Sequence, residues 1–333
     1  MKKQKIVMGL LSLVFGSVLF TSASLTAGEN GQGAVSLEQE ADRVNVYIGG
    51  ALYTSIIHKG YDRPILYPII GPHGVSMTRD FPMHKDNPLD QHDHPHHTSL
   101  YFAHGRVNDI DFWHKDKIVT TKINHAVVKD NVAVIELENR WPDNAGGDLL
   151  RDVTTIKCYA KADKRFIEYQ IQLKAHGQEV VLGDTKEGTM AIRMHPYLRV
   201  SGKKMVDGQL VARGHALNSQ GDKDKDLWGK KAQWVDYWAP FGDKTVGVAI
   251  FDHPSNLRHP TTWHARDYGL VTANPFGLHA YLKMPKASGN MTLKAGETMT
   301  LRYLFVFHEG DAKQAQIKET YKAWGTAGAV NLF

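Results

Sequence analysis

Phe166-Ile-Glu-Tyr-Gln-Ile-Gln-Leu173 places an apolar side chain at every second position from Ile167 onward. A period of two is the mark of a strand with one face buried and one face wet. The same alternation recurs in Arg43-Val-Asn-Val-Tyr-Ile48, Val132-Ala-Val-Ile-Glu-Leu-Glu138 and Thr298-Met-Thr-Leu-Arg-Tyr-Leu-Phe-Val-Phe307. Thr245-Val-Gly-Val-Ala-Ile-Phe251 is more continuously apolar and suits a central strand. Gly, Pro, Asp and Asn punctuate the joins, at Asp130-Asn131, Pro142 to Gly147, Gly289-Asn290 and Ala295-Gly296. The expectation is an all-β chain, a large antiparallel β-sandwich with sheets extended into a supersandwich. One helix is expected, from about Asp311 to Trp324, where Ala315, Ile317, Tyr321 and Trp324 would face the core.

The chain opens with Lys2, Lys3 and Lys5, then the apolar run Ile6 to Phe20, then the small and polar Thr21 to Ala27. This is the pattern of a secretory signal peptide, too short in its apolar part to be a membrane span. Residues 1–27 are therefore expected to be a leader and 28–333 a single β-sandwich domain. The mature protein is expected to be periplasmic or secreted, with no membrane span. About 305 residues suffice to bury roughly three-quarters of the unfolded surface, so a core can hold the fold. The single cysteine, Cys158, excludes an internal disulfide and sits in an alternating strand as a small hydrophobe. The formal charge of +5 falls to about +2 without the three leader lysines, and the remaining charges are mixed. That is no nucleic-acid footprint.

Residues 92–97 read His-Asp-His-Pro-His-His, with Asp90 and Asp93 alongside and His84 and His104 flanking. Imidazole titrates near neutrality and is the commonest metal ligand. Such a cluster at a strand mouth points to proton transfer, to a divalent metal, or to both. His94, His96 and His97 are the candidate metal ligands, and a divalent metal is the one cofactor these residues suggest. Neither a Cys pair nor HExxH accompanies them.

Further segments concentrate polar groups. Gly71 to Asp80 carries Arg79 among turn residues, a candidate for binding a substrate anion. Gly183 to Pro196 contains Glu187, Arg193 and His195 at one parity, so a strand over Thr189 to Met194 extended to its flanks would put them on one face. A carboxylate, a guanidinium and an imidazole together suit acid–base work on a polar substrate. Arg193 is suited to a two-pronged hydrogen bond with a carboxylate. Phe251 to Gly269 contributes Asp252, His253, Trp263, His264 and Tyr268, a mixture of aromatic faces and polar groups that suits a sugar. Asn274-Pro-Phe-Gly-Leu-His279 reads as an ordinary turn. No Walker loop, GxGxxG or GxSxG is present.

Asp93-His-Pro-His-His97, Phe102 to Trp113, Gly183-Asp-Thr-Lys-Glu-Gly188, Asp252-His-Pro-Ser-Asn256 and Trp263-His-Ala-Arg-Asp-Tyr-Gly269 together resemble the bacterial family labelled PmoA-like. The resemblance covers nearly all of the mature chain. It implies an exported protein of a family that often accompanies sugar-catabolic genes. The borrowed name implies no methane chemistry. A second, narrower resemblance, through Leu293-Lys-Ala-Gly-Glu-Thr298 and the His-rich strand entry, is to the galactose mutarotase-like supersandwich. That superfamily includes epimerases, lyases and glycoside hydrolases, so the fold alone does not select among them.

The expected function is cleavage of a glycoside or oligosaccharide by hydrolysis or β-elimination. His96 or His97 would exchange the proton, Glu187 would oppose it, and His195 or His264 would assist. Arg79, Arg193, Asp252, His253, Trp263 and Tyr268 would hold the carbohydrate. The alternatives are a His-ligated metal enzyme and a non-catalytic sugar-binding protein.

Overall fold

The computed structural model describes residues 33–326, so the expected leader lies outside the described residues. Two eight-stranded antiparallel sheets dominate. The first runs, edge to edge, through Val35–Gln39, Arg43–Ile48, Ala51–Ile57, Ile65–Ile69, Leu100–His104, Gly188–Arg193, Leu270–Asn274 and Thr262–Trp263. The second runs through His215–Asn218, Trp234–Phe241, Lys244–Asp252, Thr298–Glu309, Lys164–Ala175, Asp148–Lys161, Val132–Pro142 and Val119–Lys129. The sandwich expected from the alternation is the observed architecture.

The second sheet follows the period of two. Along Thr298–Glu309, Leu301, Tyr303, Phe305 and Phe307 enter the core shared by both sheets, while Leu304 and Val306 face the other way. Cross-sheet aromatic contacts close that core: Phe102 lies 6.3 Å from Trp141 and 6.5 Å from Tyr169, and Tyr53 lies 6.4 Å from Phe307. Cys158 is buried in the same core, and burial pushes its thiol well above the usual range. The outward-facing Leu304, Val306 and Phe251 are covered by Ile317, Tyr321 and Trp324 of the C-terminal helix.

That helix spans Ile317–Thr326, starting later than its apolar spacing suggests. Asp311 Oδ1 accepts from the backbone N–H of Lys313 and Gln314, and Gln316 adopts φ 53°, so the segment before Ile317 is a turn held by its own side chain. A second short helix, Leu278–Leu282, begins inside the segment Asn274 to His279, so only the first part of that segment is the expected turn.

The middle of the first sheet departs from alternation. Every residue of Leu100–His104, Gly188–Arg193 and Leu270–Asn274 is buried. Long loops, 71–99, 105–118, 183–187 and 254–268 among them, carry the polar groups of these strands' surroundings. Polar side chains within the strands are bonded across them: Thr189 Oγ1 donates to Ala273 O at 2.8 Å, and Thr272 Oγ1 to Gly188 O at 2.6 Å.

Phe305 is a large side chain with no exposure in the shared core. Phe305→Ala is expected to cost about 3–5 kcal/mol, read as a lower urea midpoint at unchanged slope.

Candidate functional site

Leu100–His104 and Gly188–Arg193 pair directly, with His104 opposite Gly188 and Leu100 opposite Ile192. The His-rich segment enters the first strand and Glu187 enters the second, so the pairing brings the two together. The close approach requires Gly105. Its N–H donates to Glu187 O at 2.7 Å, and a Cβ there would lie 2.9 Å from Glu187 Cβ. Glu187 is the negative charge felt by His96, His264, Tyr101, Tyr268 and Tyr281. Lys186 Nζ contacts its Oε1 at 2.5 Å from the exposed side.

The histidines pack on one another. His94 stacks on His97 with centroids 4.9 Å apart and planes 3° from parallel, and on Tyr268 at 5.6 Å. His96 meets His97 edge-on at 4.3 Å and His114 at 4.5 Å. His114 donates from Nδ1 to Asp111 Oδ2 at 2.9 Å. Trp113 backs His97 at 5.9 Å and Tyr101 at 5.2 Å. The Tyr101 hydroxyl and Trp113 Nε1 are buried with no protein partner.

One carboxylate stitches this loop to the sheet. Asp93 Oδ1 receives Arg79 Nη1 at 2.6 Å and Arg193 Nη2 at 3.1 Å. Both guanidiniums are buried, at 2% and 1% exposure. Arg79 Nη1 and Nη2 also bond backbone carbonyls of the same loop, Gln91 at 3.0 Å, Asp93 at 2.9 Å, His94 at 3.0 Å and His97 at 3.4 Å, while its Nε is buried without an acceptor. Burial works against the Asp93 carboxylate, but Arg193 and Arg79 together hold it below the usual range. Burial, followed by the Arg79 charge, pushes Arg193 down to about 10. Arg193 Nη1 donates to His97 Nδ1 at 3.4 Å, which leaves the His97 proton on Nε2.

The imidazoles are held neutral. Burial lowers His96 to about 4, with the charges of His114 and His94 adding to the effect. Burial pushes His97 far below the usual range, and His96 and Arg193 add to it. Burial lowers His264 to about 4 against the opposing pull of Glu187. His264 Nδ1 bonds the Lys186 carbonyl at 3.1 Å. A carbonyl only accepts, so Nδ1 carries the hydrogen and Nε2 has its lone pair free.

Several expected roles are corrected by these contacts. Arg79 is committed to the loop and has no face for a substrate. Trp263 is fully buried in the core, with Nε1 donating to Ala232 O at 2.8 Å, so it offers no sugar platform. Asp252 is buried and accepts from Asn256 Nδ2 at 2.8 Å, His259 Nδ1 at 2.7 Å and Thr261 N at 3.0 Å. His253 bonds Ser255 at 2.7 Å and packs on Trp324 at 4.9 Å. Both serve the C-terminal helix side of the second sheet. His195 lies past the strand end and caps the short helix Pro196–Leu198, its Nδ1 accepting from Tyr197 N at 3.1 Å. Among the described residues no group of three or more His, Cys, Asp or Glu side chains is placed to hold a metal ion. Of the expected ligand set, His94 stacks on His97 while His96 stands edge-on to both. Asp93, Tyr101, His114 and Arg266 were missed as site residues, although each stands inside or next to a quoted segment.

The sequence matches the family described as "Family of unknown function (DUF6807)" over residues 43–322, and the chain belongs to it. That is the family shown, in place of a PmoA-like one. No curated protein matches. Among solved structures, the GH36 alpha-galactosidase AgaB from Geobacillus stearothermophilus aligns at 11% identity over 84% of this chain and 41% of that one, TM-score 0.40. A polysaccharide lyase aligns at 13% identity over 88% and 34%, TM-score 0.34. A galactose mutarotase-like protein from Clostridium acetobutylicum aligns at 9% identity over 84% and 100%, TM-score 0.37. The chain spans about two-fifths of the first of these and about a third of the second. No activity is carried over from likeness at these scores.

Arg79→Met leaves Asp93 with one guanidinium and five bonds to the loop unmade. It is expected to destabilise the protein by about 3–5 kcal/mol in chemical denaturation, with new protease cuts within 81–98. His96, His195 and His264 have folded values of about 4 against the usual 6.5. Between those values the unfolded chain binds more protons. Stability is therefore expected to fall as pH drops from about 6.5, with no further loss from these groups below about 4. Urea midpoints at pH 7, 5.5 and 4.5 read this directly, and a flat series would contradict neutral burial.

Proposed function

We propose that this is an exported carbohydrate-active enzyme that cleaves a glycosidic bond by proton transfer at the His96–Glu187 pair. The observation that carries the proposal is a half-buried imidazole that burial holds neutral at physiological pH, with Glu187 favouring its protonation more weakly than burial, His114, His94 and Arg63 each oppose it. Such an imidazole is a proton acceptor, and Glu187 stabilises the imidazolium as it forms. Burial raises the Tyr268 phenol despite the guanidiniums of Arg193 and Arg266 beside it, so it is a neutral donor at the rim.

These states favour β-elimination over hydrolysis, because no group here stands protonated as a strong acid. His96 takes the proton from a carbon next to a carbonyl or carboxyl group. The released electron pair forms a carbon–carbon double bond, and the C–O bond on the neighbouring carbon breaks. The departing oxygen takes the Tyr268 proton, which returns from His96 through solvent. No water is consumed.

Purified protein incubated with oligosaccharide panels, including uronic-acid and 3-keto sugars, tests this by product mass. Two products summing to the substrate mass, one of them unsaturated, are expected. Glu187→Gln is expected to lower kcat by about 100-fold or more, with folding intact by circular dichroism. Full turnover in Glu187→Gln would sink the assignment, and products that gain one water would replace elimination with hydrolysis.

A further inference from the structure

Arg266 stands at the hairpin turn between Thr262–Trp263 and Leu270–Asn274. Its backbone N–H donates to Leu270 O at 2.8 Å and its carbonyl accepts from Gly269 N at 3.1 Å. Gly269 takes φ 88°, the left-handed turn that needs glycine. The backbone under Arg266 is thus fixed. Its side chain is half-buried and reaches over the Tyr268 ring at 5.2 Å, with Arg193 over the same ring at 4.7 Å. Its charge is felt by His264 and Tyr281, which also feel Glu187.

The guanidiniums that hold or touch the histidine loop have commitments. Arg79 and Arg193 share Asp93. Arg63 lies on the Tyr101 ring at 5.0 Å and reaches the His96 carbonyl at 3.4 Å. Arg266 has no carboxylate or carbonyl partner among the described residues, and its Nε, like those of Arg63, Arg79 and Arg199, is buried without an acceptor. A half-buried guanidinium without an acceptor carries an unmet desolvation cost that a bound anion would offset. The local balance points the same way. Arg63, Arg79, Arg193, Arg199, Arg266 and Lys186 stand against Asp93, Glu187, Asp111 and Asp267, and Asp93 is saturated.

We infer that the substrate is an acidic sugar, a uronate whose carboxylate is received by Arg266 at the Tyr268–Glu187 rim. The planar fork of guanidinium matches a carboxylate in two parallel hydrogen bonds. This rests on the elimination reading and deepens it. A carboxylate neutralised by Arg266 is the group that makes the neighbouring C–H acidic enough for His96 to remove. It selects uronates over keto sugars, which activate the same proton without a charge.

The test titrates the mature protein with trisaccharides of galacturonate, mannuronate and glucuronate, each beside its methyl ester, and with sulfated and 3-keto neutral sugars. At least one uronate is expected to bind about 10- to 100-fold more tightly than its ester. Arg266→Gln is expected to close that gap by weakening the acid and not the ester, and Arg266→Lys to restore part of it. In turnover the Gln variant should raise KM for the acid and lower kcat, because ground state and transition state both use the contact. Equal binding of acid and ester, preference for the sulfated or keto sugar, or no binding of any uronate would overturn the inference. Turnover of a keto sugar that is lost in Glu187→Gln would overturn it while leaving the proton-transfer reading in place. Arg266-dependent uronate binding without turnover would sustain the inference and end that reading.

Discussion

Two buried guanidiniums joined through one carboxylate oxygen set the geometry of everything above the first sheet. Arg79 and Arg193 repel each other, and each has lost most of its hydration. Asp93 offsets both costs at once, and it does so from the middle of the histidine loop. Residues 79–99 contain no strand or helix, so no backbone ladder defines their path. Side-chain bonds define it instead. Arg79 alone gathers four carbonyls between Gln91 and His97, and its own N–H bonds Arg193 O at 3.0 Å. These bonds tie the loop to the strand it rests on, which is what a proton-transfer site requires of its scaffold.

The same interaction governs the charge state of the imidazoles. A positive pair fixed beside His97 adds to burial in suppressing protonation, and each neighbouring histidine adds again. The rings can then stack on one another, an arrangement that four imidazolium groups would not tolerate. His114 is anchored outward by Asp111, and His264 is anchored by the Lys186 carbonyl, so the tautomer is fixed at two positions. Metal ligation would need lone pairs to converge on one point. This packing sets His94 face to face with His97 and His96 edge-on to both.

How far the sequence announced this differs between the two sheets. In the second sheet one face meets the core and the other meets water or the C-terminal helix, so alternation survives and marks the strands from Val132, Phe166 and Thr298. The central strands of the first sheet are buried on both sides, and the period of two vanishes there. The site segments were visible as clusters of His, Arg, Asp and Tyr. Their pairing was not, because Asp93 meets Arg79 across 14 residues and Arg193 across 100. Parity carried partial information. Trp263 and His264 are neighbours at a strand end, so one enters the core while the other faces Glu187, and treating both as site residues ignored that. Parity failed at His195, because the strand stops at Arg193 and a short helix follows.

A site that needs neutral imidazole at pH 7 obtains it here chiefly by burial, with neighbouring positive charge adding to it. That solution leaves positive charge to be balanced. Asp93 balances the part that holds the loop, and Glu187 is shared between Lys186 and the histidines. What remains is concentrated at Arg266, on the side where Tyr268 and His96 are open to solvent. Burial, more than charge, keeps His96 deprotonated, with His114, His94 and Arg63 adding to it. Guanidinium charge adds to burial at His97, through Arg193 and Arg79, and at His264, through Arg266. A substitution that removed Arg266 to suit a neutral sugar would therefore raise His264 toward protonation and leave the proton acceptor His96 to its own burial.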